Sequence, residues 1–383
     1  MRPIFITSLS TISALGTSPA EVWENMQQER SFFSYKNMGK EKVPVAEISP
    51  KGQEEIQNLR KSNSFYKNLD QSVLYAIYAS RKAIEKSGWK KGNFGINIGS
   101  SRGATGLFEK YHQSFLEKGT AETLTSPTTT LGNISSWVAQ DLQSSGPTIS
   151  HSITCSTALH AFLNAIAWLS SGMADRFLVG GSEAPLTDFT IAQMKSLKLY
   201  AQENKEFPCE SLKMDKKTNS MILGEAAGVA CLEMKDKNAL AKMAGFGYAT
   251  EKITHNISIS SHAECFQKSM KMALKTANMK NVDCIVMHAP GTVKGDMAEL
   301  KSIEKTFSKM PALTTNKWQI GHTFGASGMM NVEMGILMLQ HQKFIKNRFF
   351  IPQNLPKKIN SVMINAVGFG GNAVSLILTS PKD

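Results

Sequence analysis

The chain has 383 residues, 42% of them apolar and 19% charged, with a formal net charge of +12. That is apolar material for two ordinary domains or one large layered one, so size does not exclude an enzyme. The five cysteines, at 155, 209, 231, 265 and 284, are odd in number and form no C-x-x-C pair, which argues against a disulfide framework or zinc ribbon and fits a reducing cytoplasm.

The start, MRPIFITSLSTISALG, reads as a strand and turn, because Thr and Ser interrupt its apolar residues and no cleavage site follows. No apolar run approaches the roughly 20 residues that span a bilayer, so a soluble protein is expected. The charge would suit an acidic partner such as nucleic acid, anionic lipid or an acidic carrier protein, but the lysines fall in short groups rather than a basic stripe, which argues against nucleic acid and makes solvated surface the default reading for most of them. A helix is predicted over Asp70–Ser87, then a strand at FGINIGS. Pro147–Thr154 reads as a strand and Ser156–Ser171 as a helix, with Leu159, Phe162, Leu163, Ile166 and Ala167 at helical spacing. Further strands are read at RFLVGGSE, AGVACLE, DCIVMHA, SVMINAVGFGG and AVSLILTS, with helices at Asp296–Phe307 and Gly328–Gln340. Strands alternating with helices imply an α/β layer structure. Two strand–turn–helix units, around Cys155 and His288, suggest two similar halves, 1–240 and 241–383, sharing one core with a soft boundary near Lys235–Lys242.

Cys155 falls at a helix start, where free backbone N–H groups and the helix dipole favour the nucleophilic thiolate. For an isolated cysteine, burial in a core is the commoner reason for such a position. His288 ends an apolar strand before a Gly-Thr turn. Lys317 precedes His322 by five residues, and Gly321, Gly325, Ala326, Ser327 and Gly328 leave room around that histidine for a ligand. The cluster Gly368-Phe369-Gly370-Gly371 does not match G-x-G-x-x-G or open a helix, which argues against a dinucleotide. His255, His262 and Cys265 lack a convincing fourth ligand, so no metal is expected. His151 and His160 flank Cys155, and packing is the default reading for both.

Taken in order, Cys155, H-x-x-G-T-x-x-G-D from His288, K-x-x-x-G-H-x-x-G-A-x-G from Lys317 and the GFGG loop resemble the β-ketoacyl-acyl-carrier-protein synthases of the thiolase-like superfamily. ITSLSTISALGTSPAEVWENM, LVGGSEAP and MDKKTNSMILGEAAGVACLE extend the likeness over nearly the whole chain. The resemblance implies an αβαβα core and a decarboxylative Claisen condensation without a cofactor, the substrates riding on the phosphopantetheine of an acyl carrier protein. Cys155 would hold the acyl group. His288 and His322 would stabilise the enolate from malonyl decarboxylation. Lys317 would keep both histidines neutral, and the N–H groups of Cys155 and Phe369 would form an oxyanion hole. Thr292, Gly368, Gly370 and Gly371 would contact substrate, the glycines letting the Phe369 loop move as a gate. The segment SSRGATGLFEKYHQSFLEKG would line the far end of the acyl pocket. Arg60, Lys61 and Lys67 would face the carrier.

This chain departs from the family pattern at two places. Ala289-Pro290 replaces Gly-Thr, and Asn331 stands where the family places Glu, leaving Asp296 and Glu299 as the acids available to Lys317. H-A-P-G-T with K-W resembles synthases of aryl polyene, flexirubin or dialkylresorcinol pathways. The resemblance also implies a dimer, with a second copy or with a related synthase or chain-length factor. A non-catalytic chain-length partner is the alternative reading, although such subunits typically lack the cysteine. A cysteine hydrolase would leave His322, Lys317 and the GFGG loop unexplained.

Overall fold

The computed structural model describes residues 3–381 except 40, 91, 131–132, 202–204, 253–259 and 261. Its strands are β1 (Phe5–Ser13), β2 (Ser34–Met38), β3 (Glu41–Val45), β4 (Gly95–Gly99), β5 (Thr148–Ile149), β6 (Arg176–Glu183), β7 (Ala226–Glu233), β8 (Ala241–Thr250), β9 (Cys284–Val286), β10 (Ala312–Thr314), β11 (Ser361–Gly368) and β12 (Asn372–Thr379). Apart from the β2–β3 hairpin, they form a ten-stranded sheet in the order β10-β9-β11-β12-β8-β1-β7-β6-β4-β5.

Read outward from the middle, the two sets of five have the same plan. β1-β7-β6-β4-β5 and β8-β12-β11-β9-β10 each run first, fifth, fourth, second, third. The pairings match as well: antiparallel, antiparallel, parallel, parallel. The sets meet only where Phe5 and Ile6 pair with Lys242 and Ala241, so the sheet turns a corner there.

The helices Thr157–Ser171 and Ser327–His341 lie between the two sets of strands. The second of these is buried from Ser327 to Leu339 on every side, as a helix enclosed between two sheets must be. Gln71–Ser87 covers the outer face of β1, β6 and β7, and Glu264–Ala277 covers β8 and β12. The result is the expected αβαβα layering. Among the described residues no helix is long and apolar enough to cross a membrane.

Several boundaries differ from those read in the sequence. β5 keeps only Thr148 and Ile149, because Ser150–Thr154 leaves the sheet to build the turn before Cys155. The helix after His288 begins at Val293 rather than Asp296, since Thr292 caps it by accepting the Gly295 N–H at 3.2 Å. β8 was not anticipated. Its glycines conceal it: a Cβ on Gly245 or Gly247 would lie 2.3 Å from Ala273 O or 2.0 Å from Ser269 O, so the helix backbone presses on the strand there.

Candidate active site

The turn before the helix Thr157–Ser171 is held tightly. Thr154 has φ +46°, a strained setting for a β-branched residue. The Thr157 hydroxyl fixes it, donating to Thr154 O at 2.6 Å and accepting the Ile153 N–H at 2.8 Å. The GFGG loop closes on the other side. A Cβ on Gly368 would lie 1.9 Å from Thr154 Oγ1 and 2.7 Å from Ile153 O, so only glycine fits. Phe369 O accepts from Thr154 Oγ1 at 3.5 Å, and the Phe369 ring is 38% exposed.

His288 follows β9 and is fixed from behind by Glu299, whose two oxygens accept the N–H of His288 at 3.0 Å and of Ala289 at 2.9 Å. Asp296 holds the next part of this turn. One of its oxygens accepts Gly291 N at 3.0 Å, and the other accepts Leu212 N at 2.9 Å and Lys216 Nζ at 2.7 Å. The Lys216–Asp296 pair is buried on both sides. With its partners all in place it fixes geometry, whatever it adds to stability.

His322 receives the Phe324 N–H on Nδ1 at 3.2 Å. Its neutral form therefore carries the proton on Nε2. The His288 and His322 rings are 5.1 Å apart and nearly perpendicular. Lys317 is 1% exposed, and its Nζ has no hydrogen-bond partner among the described residues.

Burial, and then the Lys317 charge, holds both histidines well below their usual range, with His322 adding to the effect at His288. Burial brings Lys317 itself down to about 8, opposed first by Glu299. Most Lys317 is still cationic at pH 7, and its charge is the second cause of both histidine shifts. A resting thiolate at Cys155 is disfavoured. Burial, assisted by Glu183, pushes the Cys155 thiol up to about 12, and the opposing influence of Lys317 does not restore it. That favours the protonated thiol at Cys155.

Cys155, His288, His322, Phe324, Gly368 and Phe369 share one cavity of about 1050 Å³. Thr292 lines it while capping its helix, and Pro290 lies beside it. Gly370 and Gly371 do not line it. With φ of +93° and +72° they make the tight β11–β12 turn, which corrects the expected substrate contact. Lys317 stands outside the lining.

The proposed acids divide. Both act on Lys317 electrostatically, Glu299 more strongly, while Asp296 is also ion-paired with Lys216. Asn331 donates weakly to Met287 O and Asn365 O at 3.3 and 3.4 Å, and Glu333 receives Thr11 Oγ1 at 2.6 Å. Sequence reading missed Glu183, which accepts the N–H groups of Ser101 and Gly325 and rises to about 7 through burial. It also missed the mouth of the cavity, where exposed Lys198, Lys217, Lys294 and Lys301 gather from three chain segments. No spacing rule links them.

Arg60, Lys61 and Lys67 lie away from this lining. Lys61 and Lys67 are exposed. Arg60 is occupied, donating to Lys67 O and Leu69 O at 3.0 Å and to Gln71 Oε1 at 2.7 Å, so it braces the chain before a helix instead of standing free. His151 and His160 are packing residues, bonded to Thr157 O and Ser156 O. His255 lies outside the described residues, and among those described no His, Cys, Asp or Glu group could hold a metal.

The family models for the N-terminal and C-terminal domains of β-ketoacyl synthase match residues 1–238 and 240–350. Over 419 residues the chain is 26% identical to a 3-oxoacyl-[acyl-carrier-protein] synthase 2 of Coxiella burnetii, covering 100% of this chain and 99% of that one. Two solved structures share the fold, each with a TM-score of 0.85 and covering 99% of both chains. One is a ketosynthase in complex with its type II polyketide acyl-carrier protein, at 17% identity, and the other the ishigamide ketosynthase/chain length factor, at 19%. Together with the ordered cysteine and two histidines in one cavity, these matches place the chain in the β-ketoacyl synthase family.

Proposed function

We propose that this protein joins an acyl group held on Cys155 to the two-carbon unit left when a carrier-bound malonyl thioester loses carbon dioxide. The observation that carries the reading is one cavity containing Cys155, His288 and His322, with both imidazoles held neutral. In the first step the Cys155 sulfur displaces the pantetheine thiol from an acyl thioester, and the thiol proton ends on the departing sulfur. In the second, the malonyl carboxylate leaves as carbon dioxide while imidazole N–H groups stabilise the enolate oxygen. The enolate carbon attacks the acyl carbonyl, the Cys155 thiolate departs, and one proton from solvent restores the thiol. The N–H groups of Cys155 and Phe369 serve the tetrahedral oxyanion, and no cofactor is required.

The four lysines at the mouth suit the phosphate of the pantetheine arm and an acidic carrier, with Lys61 and Lys67 as outlying contacts. The acyl-carrier complex and the chain-length-factor complex among the similar structures support a carrier and a second synthase-like chain as partners. β5 is an edge strand open to pairing with that second chain, and the helix Thr105–Lys118 exposes Phe108, Phe115 and Leu116. We read residues 1–240 and 241–383 as the two halves of the protein. Five cysteines, all free and buried, support a cytoplasmic location. The aryl polyene, flexirubin or dialkylresorcinol reading is carried by the patterns at His288 and Lys317 alone.

Intact mass after incubation with acyl carrier protein tests the proposal. An acyl adduct on wild type that is missing from Cys155→Ala supports it. A wild type that takes no adduct favours the non-catalytic partner.

A further inference from the structure

Between the helix Ser327–His341 and β11 the chain runs out to the surface and back as one loop, residues 343–358. The loop carries five cations, Lys343, Lys346, Arg348, Lys357 and Lys358, and no Asp or Glu. All five are exposed, and no residue of the loop lines the catalytic cavity. Lys346, Lys357 and Lys358 have no ion pair among the described residues. Lys343 donates to the neutral Gln27 side chain, and Arg348 meets Glu29 at 3.4 Å with both side chains in water. Asp283, which meets the end of the loop, is used on the N–H groups of Asn360 and Ser361 at 2.8 and 2.9 Å.

Hydrogen bonds fix the shape of this loop. Gln342 clamps its two ends together, donating to Ile359 O at 2.7 Å and accepting the Ile359 N–H at 3.1 Å. Asn347 anchors the first turn, accepting the Phe349 N–H at 2.8 Å and donating to Ser211 O at 3.3 Å. Phe344, Ile345, Phe350 and Ile359 pack inward on the core. Ile351 and Leu355 do not. Ile351 is 88% exposed, the highest value for any large apolar side chain among the described residues, and Leu355 is 48% exposed. Each stands directly before a proline, Pro352 or Pro356, which restricts it to extended backbone and lowers the entropy lost when it is bound.

We propose that this loop docks the protein on an anionic lipid surface, with Ile351 and Leu355 entering the boundary between headgroups and acyl chains and the lysines meeting the lipid phosphates. The inference goes beyond the synthase reading, and it needs no membrane span. Apolar side chains held out among unpaired cations are the composition of an interfacial membrane contact. An acidic protein would use the charge, but it would have to offer a pocket for Ile351. A bilayer takes a protruding apolar residue as it stands, with the lysine stems along the apolar boundary and their ammonium groups among the phosphates. The net charge of +12 adds attraction at longer range.

The test sediments the full-length protein with vesicles of phosphatidylcholine alone and of phosphatidylcholine mixed with phosphatidylglycerol, and measures the bound fraction against lipid concentration. Wild type should bind the mixed vesicles, less as salt rises, and leave the neutral ones. Lys357→Gln combined with Lys358→Gln should weaken binding about tenfold or more. Ile351→Ser keeps the charge and should weaken it about fivefold. These positions are exposed, so thermal melts of the variants should match wild type. No binding of wild type to the mixed vesicles overturns the inference. So does an Ile351→Ser protein that binds as tightly as wild type, the result expected if the loop serves an acidic protein and lipid attracts it by charge alone. Binding that is lost in Lys294→Glu with Lys301→Glu and kept in the loop variants assigns the lipid contact to the cavity mouth and overturns it too. A dimer that becomes monomeric in Ile351→Ser makes the loop a contact between copies, which also overturns it.

Discussion

The two oxygens of Glu299 accept the backbone N–H groups of the His288 turn, at 3.0 Å from His288 N and 2.9 Å from Ala289 N, and the first also accepts Asn365 Nδ2 at 3.2 Å. Glu299 is thus a positioning residue that sets where the imidazole stands. Glu299→Gln would point an amide N–H₂ at one of these donors and open the turn. Carbon dioxide release from malonyl carrier should fall by about 10²-fold, the cost of roughly an ångström of misplacement, while acylation of Cys155 changes little. Equal losses in the two half-reactions would mean that Glu299 supports the fold in general and not His288 in particular.

Gly368 has the same relation to the nucleophile. A methyl group there collides with Thr154 Oγ1, and the strained Thr154 turn is what presents Cys155. Gly368→Ala should slow acylation of Cys155 by about 10²-fold, measured as the rate of adduct formation by mass. A wild-type rate in this variant would show that the loop and the turn are not coupled.

The histidines give a pH signature. Their neutral forms are the working ones, and burial reinforced by Lys317 keeps them neutral well below pH 6.5. Carbon dioxide release should therefore stay level as pH falls through 6.5, the value at which an ordinary histidine becomes half protonated. Lys317→Met removes the second cause and leaves the first, so the acid limb should move upward towards 6.5 without reaching it. An acid limb at the same pH in both proteins would remove Lys317 from the electrostatics. Folding stability should decline over the same range, because below pH 6.5 the unfolded chain takes up protons on these histidines that the folded one refuses.

Glu333 allows a cleaner stability test. It is buried away from the catalytic cavity with Thr11 donating to it, and burial raises its carboxyl to about 7. A raised carboxyl is neutral in the folded protein between about pH 4.5 and 7, where the unfolded chain is ionised. Its influence is thus to lower stability as pH rises across that window. Glu333→Gln removes the buried charge and keeps an acceptor for Thr11. It should be more stable than wild type at pH 8 by about 2 kcal/mol, with the gap closing towards pH 5 in thermal melts. A gap that is constant with pH would contradict the assignment.

What could be read in the sequence was whatever chemistry placed at fixed spacing along the chain. The strand before His288 and the helix from Asp70 stand where they were read, and Cys155, His288, His322, Gly368 and Phe369 line one cavity. The four mouth lysines, the Arg102–Phe324 contact and the Lys216–Asp296 pair could not be read there, since each joins residues that only the fold brings together. The resting thiol of Cys155 was missed for another reason: a helix start announces itself in sequence, but the depth at which it is buried does not. Arg60 shows the reverse error, an arginine that looks available by composition and is fully engaged by three acceptors in space.

The most direct test is carbon–carbon bond formation itself. Enzyme preloaded with an acetyl group on Cys155 is mixed with malonyl carrier protein, and the carrier is analysed by mass in wild type and in Cys155→Ala. Wild type should convert the malonyl carrier to the 3-oxobutyryl carrier with release of one carbon dioxide per product, and Cys155→Ala should form none. If wild type releases carbon dioxide and yields only acetyl carrier, the condensation assigned to this cavity does not occur.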